Sequence, residues 1–64
     1  MRLTEFWERM ELHLGPTYAD SWARDYILDS LGGRTVYQAL EAGIETKEIW
    51  RAVCEALRLP PSER

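Results

Sequence analysis

Glycine and proline cut this chain into short pieces. Gly15-Pro16, Gly32-Gly33, Gly43 and Pro60-Pro61 stand between segments that each carry apolar residues at helical spacing. Glycine takes the left-handed conformation that closes a helix, and proline cannot continue the hydrogen-bond ladder, so each of these points is a stop. No period-two run bounded by turn signals occurs, and no strand is predicted. The pattern predicts an all-α fold: a compact bundle of three to four short helices. They form a single helical domain over residues 1–59, with a frayed tail over residues 60–64.

Within that frame each segment has its own start signal. Thr4 is placed to cap a first helix, with Glu5 complementing the dipole and Leu3, Trp7, Met10 and Leu14 on one stripe that Phe6 widens. A second helix is predicted from about Thr17 to Leu31, opened by a Thr17–Asp20 variant of the capping box. Asp20-Ser21 is a place where it can break. Its rows Tyr18, Trp22, Tyr26 and Ala19, Ala23, Ile27, Leu31 predict a broad buried face. Thr35 with Gln38 is a second capping box, opening a short helix that Gly43 closes, with Ile44 packing back on the cap. Thr46 is placed to cap a last helix, in which Ile49, Trp50, Val53, Cys54 and Leu57 share a wide apolar face.

The last two helices suggest a helix-turn-helix-like arrangement over residues 35–58. Such a motif needs a small residue where the helices cross and a glycine where the chain reverses. Ala39 and Gly43 meet those needs, and with Ile49 their spacing resembles that of helix-turn-helix DNA-binding proteins. The second helix would then be the reading helix. Lys47, Arg51 and Arg58 fall within about 40° of one another on its wheel, a basic stripe for phosphates or base edges. Glu48 and Glu55 flank the stripe and oppose that use. The plainer reading is a solvated face with an ion pair one helical turn apart, worth a few tenths of a kcal/mol.

Charge weighs against a nucleic-acid partner. The chain carries a net −3. Arg2, Arg9 and Arg24 face Glu5, Glu8, Glu11, Asp20, Asp25 and Asp29 in the first half, which holds the whole excess, and the second half is balanced. Nucleic-acid binders show a basic excess instead. Cys54 is the single cysteine, so no internal bridge forms and a reducing, cytoplasmic setting is expected. The opening Met1-Arg2-Leu3-Thr4-Glu5 has no apolar signal region, and no apolar run approaches the roughly 20 residues that span a bilayer.

The remaining chemistry-bearing residues read as structure. His13 is the only histidine, late in the first helix, where a cation is favoured, and no metal spacing surrounds it. Cys54 lies on an apolar face and reads as a small hydrophobe. Asp20, Asp25 and Asp29 lack the spacing of a calcium loop. Gly32-Gly33-Arg34-Thr35 lacks the strand and the Gly-Lys-Ser/Thr ending of a phosphate loop, which leaves a turn plus a cap. No catalytic set, metal site or cofactor motif is predicted, and no small-molecule substrate is evident. A domain this small must pack densely, and Trp7, Trp22 and Trp50 lie in three segments they can lock together. A residual exposed patch would mark a partner surface. Trp7 and Trp50, at the edges of their stripes, and Arg34, on a turn beside a helix start, are its candidates.

The segments Met1-Arg2-Leu3-Thr4-Glu5-Phe6-Trp7, Tyr18-Ala19-Asp20-Ser21-Trp22-Ala23-Arg24-Asp25, Leu31-Gly32-Gly33-Arg34-Thr35-Val36 and Ile49-Trp50-Arg51-Ala52-Val53-Cys54 resemble an actinobacterial family of short proteins, the domain of unknown function 3046. The resemblance implies a stand-alone actinobacterial protein encoded near the strand-exchange recombinase and its regulator, and so an association with DNA repair. It carries over no catalytic residue. The expected function is a non-enzymatic protein-interaction module with a protein partner. The alternative is a weak DNA-binding or DNA-repair accessory protein using Lys47, Arg51 and Arg58.

Overall fold

The computed structural model describes residues 1–63. Four α-helices follow one another: α1 (Leu3–Leu14), α2 (Pro16–Asp25), α3 (Val36–Glu41) and α4 (Thr46–Leu57). Single 3-10 turns form at Asp29–Leu31 and Pro61–Glu63. Arg64, the end of the expected frayed tail, lies outside the described residues. The closest packing forms a ring: α1 against α2, α2 against α3, α3 against α4 and α4 back against α1. The radius of gyration, 10.5 Å, matches the roughly 11 Å of a compact chain of this length.

The first corner turns on one residue. Gly15, at φ 87°, closes α1 and opens α2, its N–H reaching the Glu11 carbonyl and its own carbonyl accepting from Ala19. Pro16 is the first residue of α2, where its missing N–H removes an orphan donor. Proline thus begins a helix here as well as ending one. The expected side-chain caps at Thr4 and Thr17 are not made: α1 starts from Arg2 and α2 from Gly15.

α2 ends at Asp25, well short of the predicted Leu31. Tyr26 turns extended, and the Leu28 N–H pairs with the Arg34 carbonyl at 2.9 Å in an isolated antiparallel bridge. The 3-10 turn and Gly32-Gly33, both with positive φ, fold the chain back between these two residues. The gain is burial of Leu28 and Leu31 in the core. The consequence is that Tyr26 and Ile27, expected inside, face outward.

α3 matches its local signals at both ends. The Thr35 hydroxyl accepts from the Gln38 N–H at 3.1 Å, and the Gln38 side chain accepts from the Thr35 N–H at 3.0 Å, a complete capping box. At the other end of α3 the Gly43 N–H reaches the Leu40 carbonyl and the Ile44 N–H reaches that of Ala39, the paired bonds of a Schellman motif. Gly43 supplies the positive φ, 81°, that this motif requires. α3 and α4 pack on each other in the helix-turn-helix-like arrangement. The expected Thr46 cap is not made: Glu45 is the N-cap of α4, and Thr46 is its first residue, whose hydroxyl donates to the Met1 carbonyl at 2.6 Å and ties α4 to the start of α1.

Trp50 sits at the centre. Its ring meets Phe6 edge-on at 6.0 Å, His13 at 5.9 Å and the Arg9 guanidinium at 6.0 Å. Around it the buried set includes Phe6, Met10, Trp22, Ala23, Val36, Ala39, Ile49, Val53 and Cys54. Every buried side-chain nitrogen and oxygen among the described residues has a hydrogen-bond partner.

Candidate interaction surface

Lys47 and Arg51 are exposed on α4, but their helix has little surface to offer. Ile49, Trp50, Ala52, Val53 and Cys54 are buried, with Ala56 and Leu57 partly so. At 100° per residue, Lys47, Glu48, Arg51 and Glu55 share a strip only about 100° wide. The 3-10 turn packs along one side of α4, and Ser30, Leu31, Glu48, Arg51, Ala52 and Glu55 line a single shallow depression there. Two carboxylates therefore border the same hollow as Arg51. Arg58 is exposed but does not continue the helical stripe: it lies past the end of α4, in the left-handed conformation at φ 55°.

The aromatic candidates separate. Trp50 is 1% exposed, so its expected place on a partner surface is corrected. Its neighbours Phe6, His13 and Arg9 come from α1, a contact that the α4 sequence pattern does not reveal. Trp7 is partly buried, edge-on to Phe6 at 5.4 Å and 5.5 Å from Tyr37 of α3. Arg34 is exposed, and its guanidinium donates to the Leu31 carbonyl at 2.9 Å, which closes the loop after α2. Cys54 is buried, and His13 is half-buried in the last turn of α1. No group of three His, Cys, Asp or Glu able to hold a metal occurs among the described residues, and no helix is long and apolar enough to cross a membrane.

Tyr37 joins three helices at the surface. Its hydroxyl donates to Asp20, Asp20 pairs with Arg24 at 2.8 Å, and the Arg24 guanidinium lies 5.8 Å over the Tyr37 ring. The carboxylate that accepts from the phenol favours its protonated form, and the ionisation of Tyr37 is pushed up.

Three residues that the sequence pattern places on a buried face are exposed instead. Tyr18 is 57% exposed, Tyr26 43% and Ile27 50%. Tyr18, Ser21, Trp22, Asp25 and Tyr26 line one depression of about 200 Å3. Tyr26 also borders a second, of about 300 Å3, with Ile27, Asp29, Ala52, Glu55 and Ala56 among its walls. The two meet at Tyr26, one lined by α2 and the other reaching α4, and together are termed the groove. Trp22 stacks beneath Tyr26 at 4.7 Å and 13°, which fixes the ring that faces out. Residue type carried a signal: tyrosine stands where a purely buried stripe would accept phenylalanine, and its hydroxyl favours a wet edge.

These features define a small all-α protein of four helices, the last two arranged as a helix-turn-helix-like pair. The chain belongs to the family described as protein of unknown function DUF3046, whose model matches residues 1–62. No curated protein and no solved structure matches it.

Proposed function

We propose that this protein is a non-enzymatic interaction module that docks a protein partner through the face formed by Tyr18, Tyr26 and Ile27. The observation that carries this reading is their exposure along the two depressions that meet at Tyr26. Contiguous apolar surface of this kind marks interaction sites. The test is affinity capture from cells that express the protein, comparing the wild type with Tyr26→Ser/Ile27→Ser. Both residues are about half exposed, so the variant keeps its helix content. A protein held by the wild type and released by the variant supports the reading; identical captured sets defeat it.

Weak nucleic-acid contact is the second reading. It draws on the exposure of Lys47, Arg51 and Arg58, and on the DNA-repair association that the family resemblance implies. Glu48 and Glu55 beside Arg51 count against it. Fluorescence anisotropy with duplex DNA separates the two. Salt-sensitive binding lost in Arg51→Glu supports DNA contact, and no binding at low salt removes it.

A further inference from the structure

We propose that the groove between α2 and α4 takes an arginine-bearing segment of the partner, its guanidinium stacked on Tyr26 and its charge met by Asp25, Asp29 and Glu55. The inference rests on the interaction reading above and adds the chemistry of what is docked.

Charge is the first argument. The residues lining the two depressions that meet at Tyr26 include three carboxylates, those of Asp25, Asp29 and Glu55, and no lysine or arginine. Arg51 enters only in the adjoining hollow, between Glu48 and Glu55. A groove edged by one sign of charge selects a ligand of the other sign, and repels nucleic acid and acidic peptides.

Geometry is the second. A guanidinium is planar, weakly hydrated, and able to stack on a ring while its edge donates to carboxylates, which a lysine ammonium does less well. This molecule uses the same three-part contact twice internally. Arg24 lies over Tyr37 and pairs with Asp20, and Arg9 lies over Trp50 and pairs with Glu5 at 3.4 Å. In the groove, the ring of Tyr26 and the neighbouring carboxylates repeat two of the three parts. The ring is already oriented by its stack on Trp22, so little ordering remains to be done when a cation arrives. Ile27 and Ala56 beside it offer apolar contact to the residues flanking that arginine.

The experiment pans a random 12-residue displayed peptide library against the full chain. Enriched peptides are then measured on the wild type, on Asp25→Asn/Glu55→Gln and on Tyr26→Ser/Ile27→Ser. The expected result is a consensus with arginine next to apolar residues, bound at least tenfold more weakly by both variants. Replacing the consensus arginine by lysine should weaken binding several-fold, and by glutamate abolish it. Apolar peptides without a cation, lost in Tyr26→Ser/Ile27→Ser but unchanged in Asp25→Asn/Glu55→Gln, would overturn the arginine assignment and leave the docking face standing. Peptides indifferent to both variants, or no enrichment at all, overturn the face as well. Sedimentation of the unliganded chain adds one outcome: concentration-dependent dimers abolished by Tyr26→Ser/Ile27→Ser would put a second copy in the groove instead.

Discussion

Tyr37 shows how much one exposed residue can organise. It comes from the first turn of α3, yet it touches Trp7 of α1 and both Asp20 and Arg24 of α2. The bond to Asp20 requires the protonated phenol, so its contribution is complete below the ordinary tyrosine pKa of 10.0. It is lost as pH rises through the higher value in the folded protein. The difference between absorbance titrations of the wild type and Tyr37→Phe should therefore show a midpoint above 10.0, and a midpoint at or below it would mean that the hydroxyl does not donate to Asp20. Because the pair faces solvent, removing the hydroxyl should cost only about 0.5–1 kcal/mol in urea unfolding.

At the scale of the element, α4 ends against its own sequence. The Leu59 N–H reaches the Cys54 carbonyl at 2.9 Å and the Arg58 N–H reaches that of Glu55 at 3.2 Å, the same closing bonds that Gly43 makes after α3. Here the left-handed position is filled by Arg58, a conformation that costs a residue with a Cβ about 1–2 kcal/mol. Arg58→Gly should raise the urea midpoint, by a net stabilisation of about 0.5–1 kcal/mol once the added freedom of the unfolded chain is subtracted. A fall would show that the arginine side chain contributes more than the strain it causes. The two caps also explain what the sequence made legible. The Thr35–Gln38 box and the Gly43 turn are signals a few residues long, and both ends of α3 formed as predicted. α2 was predicted too long because its true end depends on the pairing of Leu28 with Arg34 across two glycines. Nothing inside residues 17–31 announces that pairing, since Tyr26, Ile27 and Leu31 keep a helical spacing whether or not a helix is there.

For the whole molecule, a small chain concentrates its stability in few residues. A domain of this length has about 3–10 kcal/mol in hand. Truncating a buried tryptophan removes about 3–5 kcal/mol. Trp50→Ala should accordingly lose most of its far-UV helical signal at 25 °C, and a fully folded variant would show that α1 and α4 are held together by other contacts. The same smallness accounts for the surface that sequence periodicity assigned to the interior. About 60% of the unfolded surface can be hidden at this size, and seven aromatics compete for the space. Phe6, Trp22 and Trp50 take it, while Tyr18 and Tyr26 are left at the rim. Which aromatics win is decided by how four helices meet, a three-dimensional matter that one-dimensional spacing cannot rank.

The stacked pair Trp22–Tyr26 has an optical consequence. Two chromophores held 4.7 Å apart and nearly parallel couple their transitions, so they exchange excitation and give near-ultraviolet ellipticity that neither has alone. One lies in the core and the other forms the wall of the groove. Whatever settles on Tyr26 perturbs the coupled band, and the molecule carries, without any added label, its own indicator of an occupied face.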